Sequence, residues 1–94
     1  MGPYANLGNI YEMTGRASDA LEMYETAVAI KPGFGANWYA LARLRVQSGD
    51  PGGASVALAR AITLDAGWRA KAARDKVFQA LRRSDPQVRT LLQD

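Results

Sequence analysis

Apolar residues return along this chain at helical intervals, and glycine or proline punctuates them. Between Arg16 and Lys31, the residues Ala20, Tyr24, Ala27 and Val28 share one helical face while Glu22, Glu25 and Thr26 fall off it, which predicts a helix over about Ala17 to Ile30. A preceding helix is expected from about Pro3 to Thr14, since proline suits a first helical position and Gly15 a left-handed stop. Pro32 and Gly33 end the second helix. Two more follow, about Ala36 to Ser48 and about Pro51 to Leu64, with Asp50 as N-cap and Pro51 at the first position. Gly52 and Gly53 weaken that first turn.

The second pair of helices repeats the first. A shift of about 34 residues carries Tyr4 onto Trp38, Leu7 onto Leu41, Gly8 onto Ala42, Gly15 onto Gly49, Ala20 onto Ala54, Tyr24 onto Leu58 and Ala27 onto Ala61, so small residues stay small and large ones large. The first copy reads Tyr4-x-x-Leu7-Gly8-x-x-Tyr11, then Ala20-x-x-x-Tyr24-x-x-Ala27, and closes at Pro32. This resembles the tetratricopeptide repeat, with tyrosine for tryptophan at Tyr4 and for phenylalanine at Tyr24. The resemblance implies an all-α fold, a right-handed α-solenoid of two helix-turn-helix repeats over about residues 1–34 and 35–67, with a C-terminal cap over about 68–94, all in one domain. In such a repeat the helices clasp at small residues, here Gly8, Ala20 and Ala27, while Tyr4, Leu7, Tyr11 and Tyr24 fill the remaining space. Two positions depart from the pattern. Arg45 stands where the first copy has Tyr11, its stem expected to cover the same surface with the guanidinium in water, and Ala66 replaces the closing proline, leaving Gly67 to break the helix.

Past Gly67 the register changes. Continuing the period would bury Asp75, Lys76 and Gln79 beside Ala72, and the polarity of those three opposes it. Ala70, Ala73, Val77, Phe78 and Leu81 give an apolar stripe instead, predicting a capping helix from about Trp68 to Arg83 whose outer face carries Arg69, Lys71, Arg74, Lys76, Arg82 and Arg83. Ser84-Asp85-Pro86 then starts a short helix, about Pro86 to Gln93, that offers Val88, Leu91 and Leu92 to the stack. This ending resembles the tails of bacterial tetratricopeptide proteins. No such cap precedes helix one, which is expected to leave an apolar flank open for further repeats of a longer array or for a second copy of the chain.

Composition removes several kinds of chemistry. The 94 residues include neither cysteine nor histidine, so disulfides, thiolate metal sites, histidine triads and the common zinc sites have no residues to use. No apolar run approaches the roughly 20 residues of a membrane span, and no basic-then-apolar leader precedes the first repeat, which points to a cytoplasmic chain unless a targeting segment lies upstream. Glu12, Asp19, Glu22 and Glu25 lack metal-ligand spacing, Glu12 and Arg16 read as a surface pair, and no glycine-rich phosphate loop is present. Neither enzymatic activity nor a cofactor is expected.

Function is therefore expected from the surface. The resemblance implies that a protein or peptide partner lies in a concave groove lined by the first helix of each repeat. Register places Ala5, Asn9, Glu12 and Met13 there from helix one, and Tyr39, Arg43 and Gln47 from helix three. Asn9 and Arg43 would hydrogen-bond a peptide and Tyr39 would supply an aromatic contact. The clamp by which some relatives hold a chaperone's terminal carboxylate is not expected: Asn9 matches, but Ala5, Arg43, Ala73 and Val77 stand where it needs lysine, asparagine, lysine and arginine. Charge leaves an alternative. Up to Phe34 the chain carries two basic residues against four acidic ones, and from Gly35 onward ten against five, for a net charge of +3. Arg69, Lys71, Arg74, Lys76, Arg82, Arg83 and Arg89 would then contact nucleic acid or another polyanion, although only Trp68 and Phe78 are interleaved as stacking aromatics.

Overall fold

Helix ends in this protein are set by identifiable hydrogen bonds, and these decide how the chain reverses. The computed structural model describes residues 2–93. Its helices are α1 (Pro3–Met13), α2 (Ala17–Ile30), α3 (Gly35–Gln47), α4 (Pro51–Leu64), α5 (Gly67–Arg74), α6 (Lys76–Ser84) and α7 (Pro86–Leu91). Those predicted as single helices end within one or two residues of expectation, the ordinary uncertainty of a helix terminus.

α1 and α3 stop in the same way. Gly15 takes φ +78° and Gly49 φ +83°, a conformation that glycine reaches without a steric penalty. The Arg16 N–H then donates to the Tyr11 carbonyl at 2.8 Å and the Gly15 N–H to the Glu12 carbonyl at 3.3 Å. Asp50 and Gly49 donate equivalently to Arg45 and Val46, at 2.8 and 3.1 Å. This paired closure satisfies terminal carbonyls and folds each helix back, so α1–α2 and α3–α4 are hairpins. Asp50 starts α4 by accepting the Gly53 N–H at 2.9 Å.

The hairpins close at small residues. A methyl group on Gly8 would lie 2.8 Å from a ring carbon of Tyr24, so that ring rests directly on the α1 backbone. In the second hairpin Ala42, Ala54, Ala57 and Ala61 are buried, and Leu41, Leu44 and Leu58 occupy the space between them. α2 packs on α3, joining the two hairpins. Tyr4 and Leu7, expected inside the first clasp, are instead 39% and 40% exposed, and Ile10 is open beside them. α1 packs chiefly against α2, and this is its uncovered flank.

The cap is two helices rather than the single one expected over Trp68 to Arg83. Asp75 leaves helical geometry at φ −82° and ψ 123° and accepts the Val77 N–H at 3.0 Å, ending α5 and starting α6. With that bend, the repeat spacing persists further than the apolar stripe implied. Ala72 is fully buried, Ala70 is exposed, and Ala73 and Val77 are half-buried. Phe78 enters the core on the α3 side, and α7 brings Val88 and Leu92 over α4.

Three local expectations also change. Arg16 pairs with Asp19, Nη2 to Oδ2 2.8 Å, and its guanidinium lies 4.6 Å from the Tyr11 ring centre, so Glu12 is free to turn elsewhere. Arg45 does not leave its head in water: Nη1 donates to the Gly53 carbonyl at 3.1 Å and Nη2 lies 3.5 Å from Glu25. Gly67 opens α5 instead of breaking a helix, its N–H donating to Asp65 Oδ1 at 2.8 Å.

The Gly8 contact can be tested directly. Gly8→Ala gains up to about 1 kcal/mol of helix propensity but overpacks the Tyr24 ring at a cost of about 1–3 kcal/mol, so a net loss is expected in urea melts. Gly33→Ala, whose added methyl meets nothing within 4 Å among the described residues, should leave the melt unmoved. A Gly8→Ala chain more stable than the parent would mean that the ring yields.

Candidate binding groove

A groove of about 660 Å³ crosses α1, α3 and α5. Asn9 and Glu12 of α1 and Tyr39 and Arg43 of α3 line it, so four of the side chains placed there by register are brought together. Met13, 78% exposed, and Gln47 lie outside the lining, towards the C-terminal ends of their helices. Ala5 is buried and belongs to the wall of a separate cavity near the start of α1.

Tyr39 is not the free aromatic contact that register implied. It is 4% exposed, stacked on Trp68 with ring centres 4.9 Å apart and tilted against Phe78 at 5.4 Å. Its hydroxyl donates to Asp75 Oδ2 at 2.8 Å. The cause is the approach of α5: Trp68 lies so close to Gly35 that a methyl there would sit 2.5 Å from its indole nitrogen. Tyr39 is thus the floor of the groove, and Trp68, half-buried, is the aromatic edge above it.

Charge alternates along this floor. Arg43 Nη1 lies 3.7 Å from Glu12 Oε2, and Arg43 Nε lies 3.1 Å from Asp75 Oδ2. The Nε–H is not aligned for a hydrogen bond, so the second contact is an ion pair by distance alone. Lys71 adds a second cation, its Nζ 5.9 Å from the Tyr39 ring centre. Burial first, and then the bond to Asp75 and its charge, push the Tyr39 phenol well above its ordinary 10.0, with Arg43 opposing. Burial and the Glu12 charge likewise raise Tyr24, again against Arg43. Both phenols are neutral hydrogen-bonding groups at physiological pH.

Trp68, Lys71 and Asp75 were not among the residues that register placed in the groove. Polarity argued against burying Asp75, yet its side chain is well covered because three partners satisfy it: the Tyr39 hydroxyl, the Val77 N–H and Arg43. A signal was available in the sequence. Asp50, Asp75 and Asp85 each stand just ahead of a helix, and each side chain accepts a backbone N–H of the next turn. Among the described residues, no cluster of metal-ligating side chains occurs and no helix is long and apolar enough to cross a membrane.

Helical hairpins stacked so that their first helices line one polar groove define a helical-repeat interaction module. The sequence profile described as Tetratricopeptide repeat matches residues 13–82, and the chain belongs to that family, whose repeats serve protein–protein interaction. No curated protein and no solved structure matches the chain.

The bond between Tyr39 and Asp75 makes stability depend on alkaline pH. Because folding raises the Tyr39 pKa, its contribution is complete below about pH 10, where unfolded tyrosine begins to ionise, and is lost as pH rises beyond. Tyr39→Phe should cost about 1–3 kcal/mol at neutral pH, since Asp75 loses a donor, and should flatten the decline above pH 10. Urea melts from neutral to strongly alkaline pH measure both. An unchanged alkaline slope would exclude this coupling.

Proposed function

We propose that the chain is a non-enzymatic interaction module that holds a peptide segment of a protein partner, or a partner subunit, in the groove across α1, α3 and α5. The observation that carries this reading is the charged ladder of the groove, in which Arg43 lies 3.7 Å from Glu12 and 3.1 Å from Asp75 while Asn9 stands open to solvent. The contact to Glu12 is long and partly exposed, worth about 0–1 kcal/mol. A peptide carbonyl or carboxylate can therefore take its place at the guanidinium with better geometry. Alternating Glu12, Arg43, Asp75 and Lys71 favours a ligand of mixed polarity over a strongly acidic one, and Trp68 offers it an apolar edge.

A second reading, contact with nucleic acid or another polyanion, draws support from a cleft of about 540 Å³ where Arg82, Arg83 and Arg89 meet. Arg89 is partly engaged there, donating to the Arg83 carbonyl at 3.1 Å. Self-association draws support from the open side chains Tyr4, Leu7 and Ile10 on α1. A molecular mass constant across concentration would remove it.

The groove reading is tested with Asn9→Ala combined with Lys71→Ala, two exposed positions whose loss leaves the buried network intact. A partner captured from native lysate by the parent chain should bind this variant about tenfold or more weakly, the effect of losing about 1.4 kcal/mol at the interface. Equal binding by both chains would move the site elsewhere. Binding lost instead with Arg82→Ala and Arg83→Ala, and falling steeply with salt, would favour the polyanion.

A further inference from the structure

One slot is filled differently in the two hairpins. The shift of about 34 residues carries Ala5 onto Tyr39, Phe34 onto Trp68 and Asn37 onto Lys71. In the second hairpin the slot is occupied from within: the Tyr39 ring stacks on Trp68 at 4.9 Å, and Lys71 Nζ lies 5.9 Å from that ring. In the first, alanine has no ring to place there. A cavity of about 230 Å³ opens between the start of α1, the end of α2 and the start of α3, walled mainly by Tyr4, Ala5, Ile30, Phe34 and Asn37. It shares no lining residue with the groove.

The walls specify an occupant. The volume is below the roughly 300–1,000 Å³ of a pocket for a whole small molecule, which suits a single side chain. Phe34 is exposed and offers a ring face, as Trp68 does to Tyr39. Asn37 is only 2% exposed, yet among the described residues its side-chain carbonyl has no hydrogen-bond partner, so the wall holds an acceptor that lacks a donor. The two ends of the amide are alike in shape and neither makes a hydrogen bond among the described residues, so turning the oxygen towards an incoming donor breaks none. Lys31 stands at the edge, its Nζ 5.9 Å from the Phe34 ring, and makes no ion pair among the described residues.

We propose that this cavity receives one aromatic side chain of a partner protein, stacked on Phe34 as Tyr39 stacks on Trp68. Tryptophan suits it best, because the indole N–H can donate to Asn37, and an acidic group beside the ring would meet Lys31. The site is independent of the groove, so loss of groove binding in the Asn9 and Lys71 variant leaves it unaffected.

The probe is N-acetyl-tryptophan at millimolar concentration, followed by amide chemical shifts of the 94-residue chain. Saturable shifts are expected at the start of α1 and over Lys31 to Asn37. N-acetyl-phenylalanine, without the donor, and N-acetyl-tryptophan amide, without the carboxylate, should each bind several-fold more weakly. Ala5→Tyr should fill the slot from inside, abolishing the shifts while leaving the melting temperature equal or higher. If that chain does not fold, Phe34→Ala, at an exposed position, should abolish the shifts in a folded one. The proposal is overturned if no aromatic probe shifts these residues, or if the shifts survive in the folded variants. It is also overturned if the parent chain is a dimer that Ala5→Tyr dissociates, since the occupant would then be a second copy.

Discussion

Asp75 holds three parts of the molecule with one carboxylate. Oδ1 accepts the Val77 N–H that begins α6, and Oδ2 accepts the Tyr39 hydroxyl and lies against Arg43. The first contact bends the cap and turns Phe78 into the core on the α3 side, so Tyr39 is enclosed between Trp68 and Phe78. The second and third fix the groove floor. A covered carboxylate is tolerated only when its lone pairs are used, and here every use also sets the path of the chain. Groove and cap are therefore one construction, and a side chain that looks like an obstacle to burial becomes the reason the burial is possible.

The two hairpins share a skeleton and differ in filling. Both reverse at a left-handed glycine closed by the same pair of backbone bonds, and both bring their helices together over small residues. At the N-terminal end of the first helix they part: Ala5 in one, Tyr39 in the other. A ring in that slot lets the following segment dock on it, as α5 does through Trp68, whereas alanine leaves a recess beside Phe34. Internal repetition supplies the comparison that makes the recess interpretable.

Charge asymmetry between the halves also acquires a local meaning. Glu12 and Glu25 of the acidic first hairpin face Arg43 and Arg45 of the basic second one, at 3.7 and 3.5 Å. Such partly exposed pairs add about 0–1 kcal/mol each, too little to hold the hairpins together, but they disfavour other registers between them. Arg82, Arg83 and Arg89 take no part in this exchange and carry the excess positive charge at the C-terminal end.

Much of the fold was legible because it rests on short-range rules. Helical spacing, proline at first positions, Gly15 and Gly49 at the stops, Asp50 and Asp85 as caps and the repeat of small residues are all local signals. Those signals were enough for the two hairpins, the family and the face on which Asn9, Glu12 and Arg43 lie. That Asp75 is covered, that Tyr39 is floor rather than contact and that Ala5 borders a recess follow instead from how the helices pack. Each of these depends on where α5 and α6 settle against α3, a placement that comes from contacts far apart in sequence. A residue's polarity gives the cost of burying it alone, and cannot report the hydroxyl, amide and guanidinium that the fold brings to meet it.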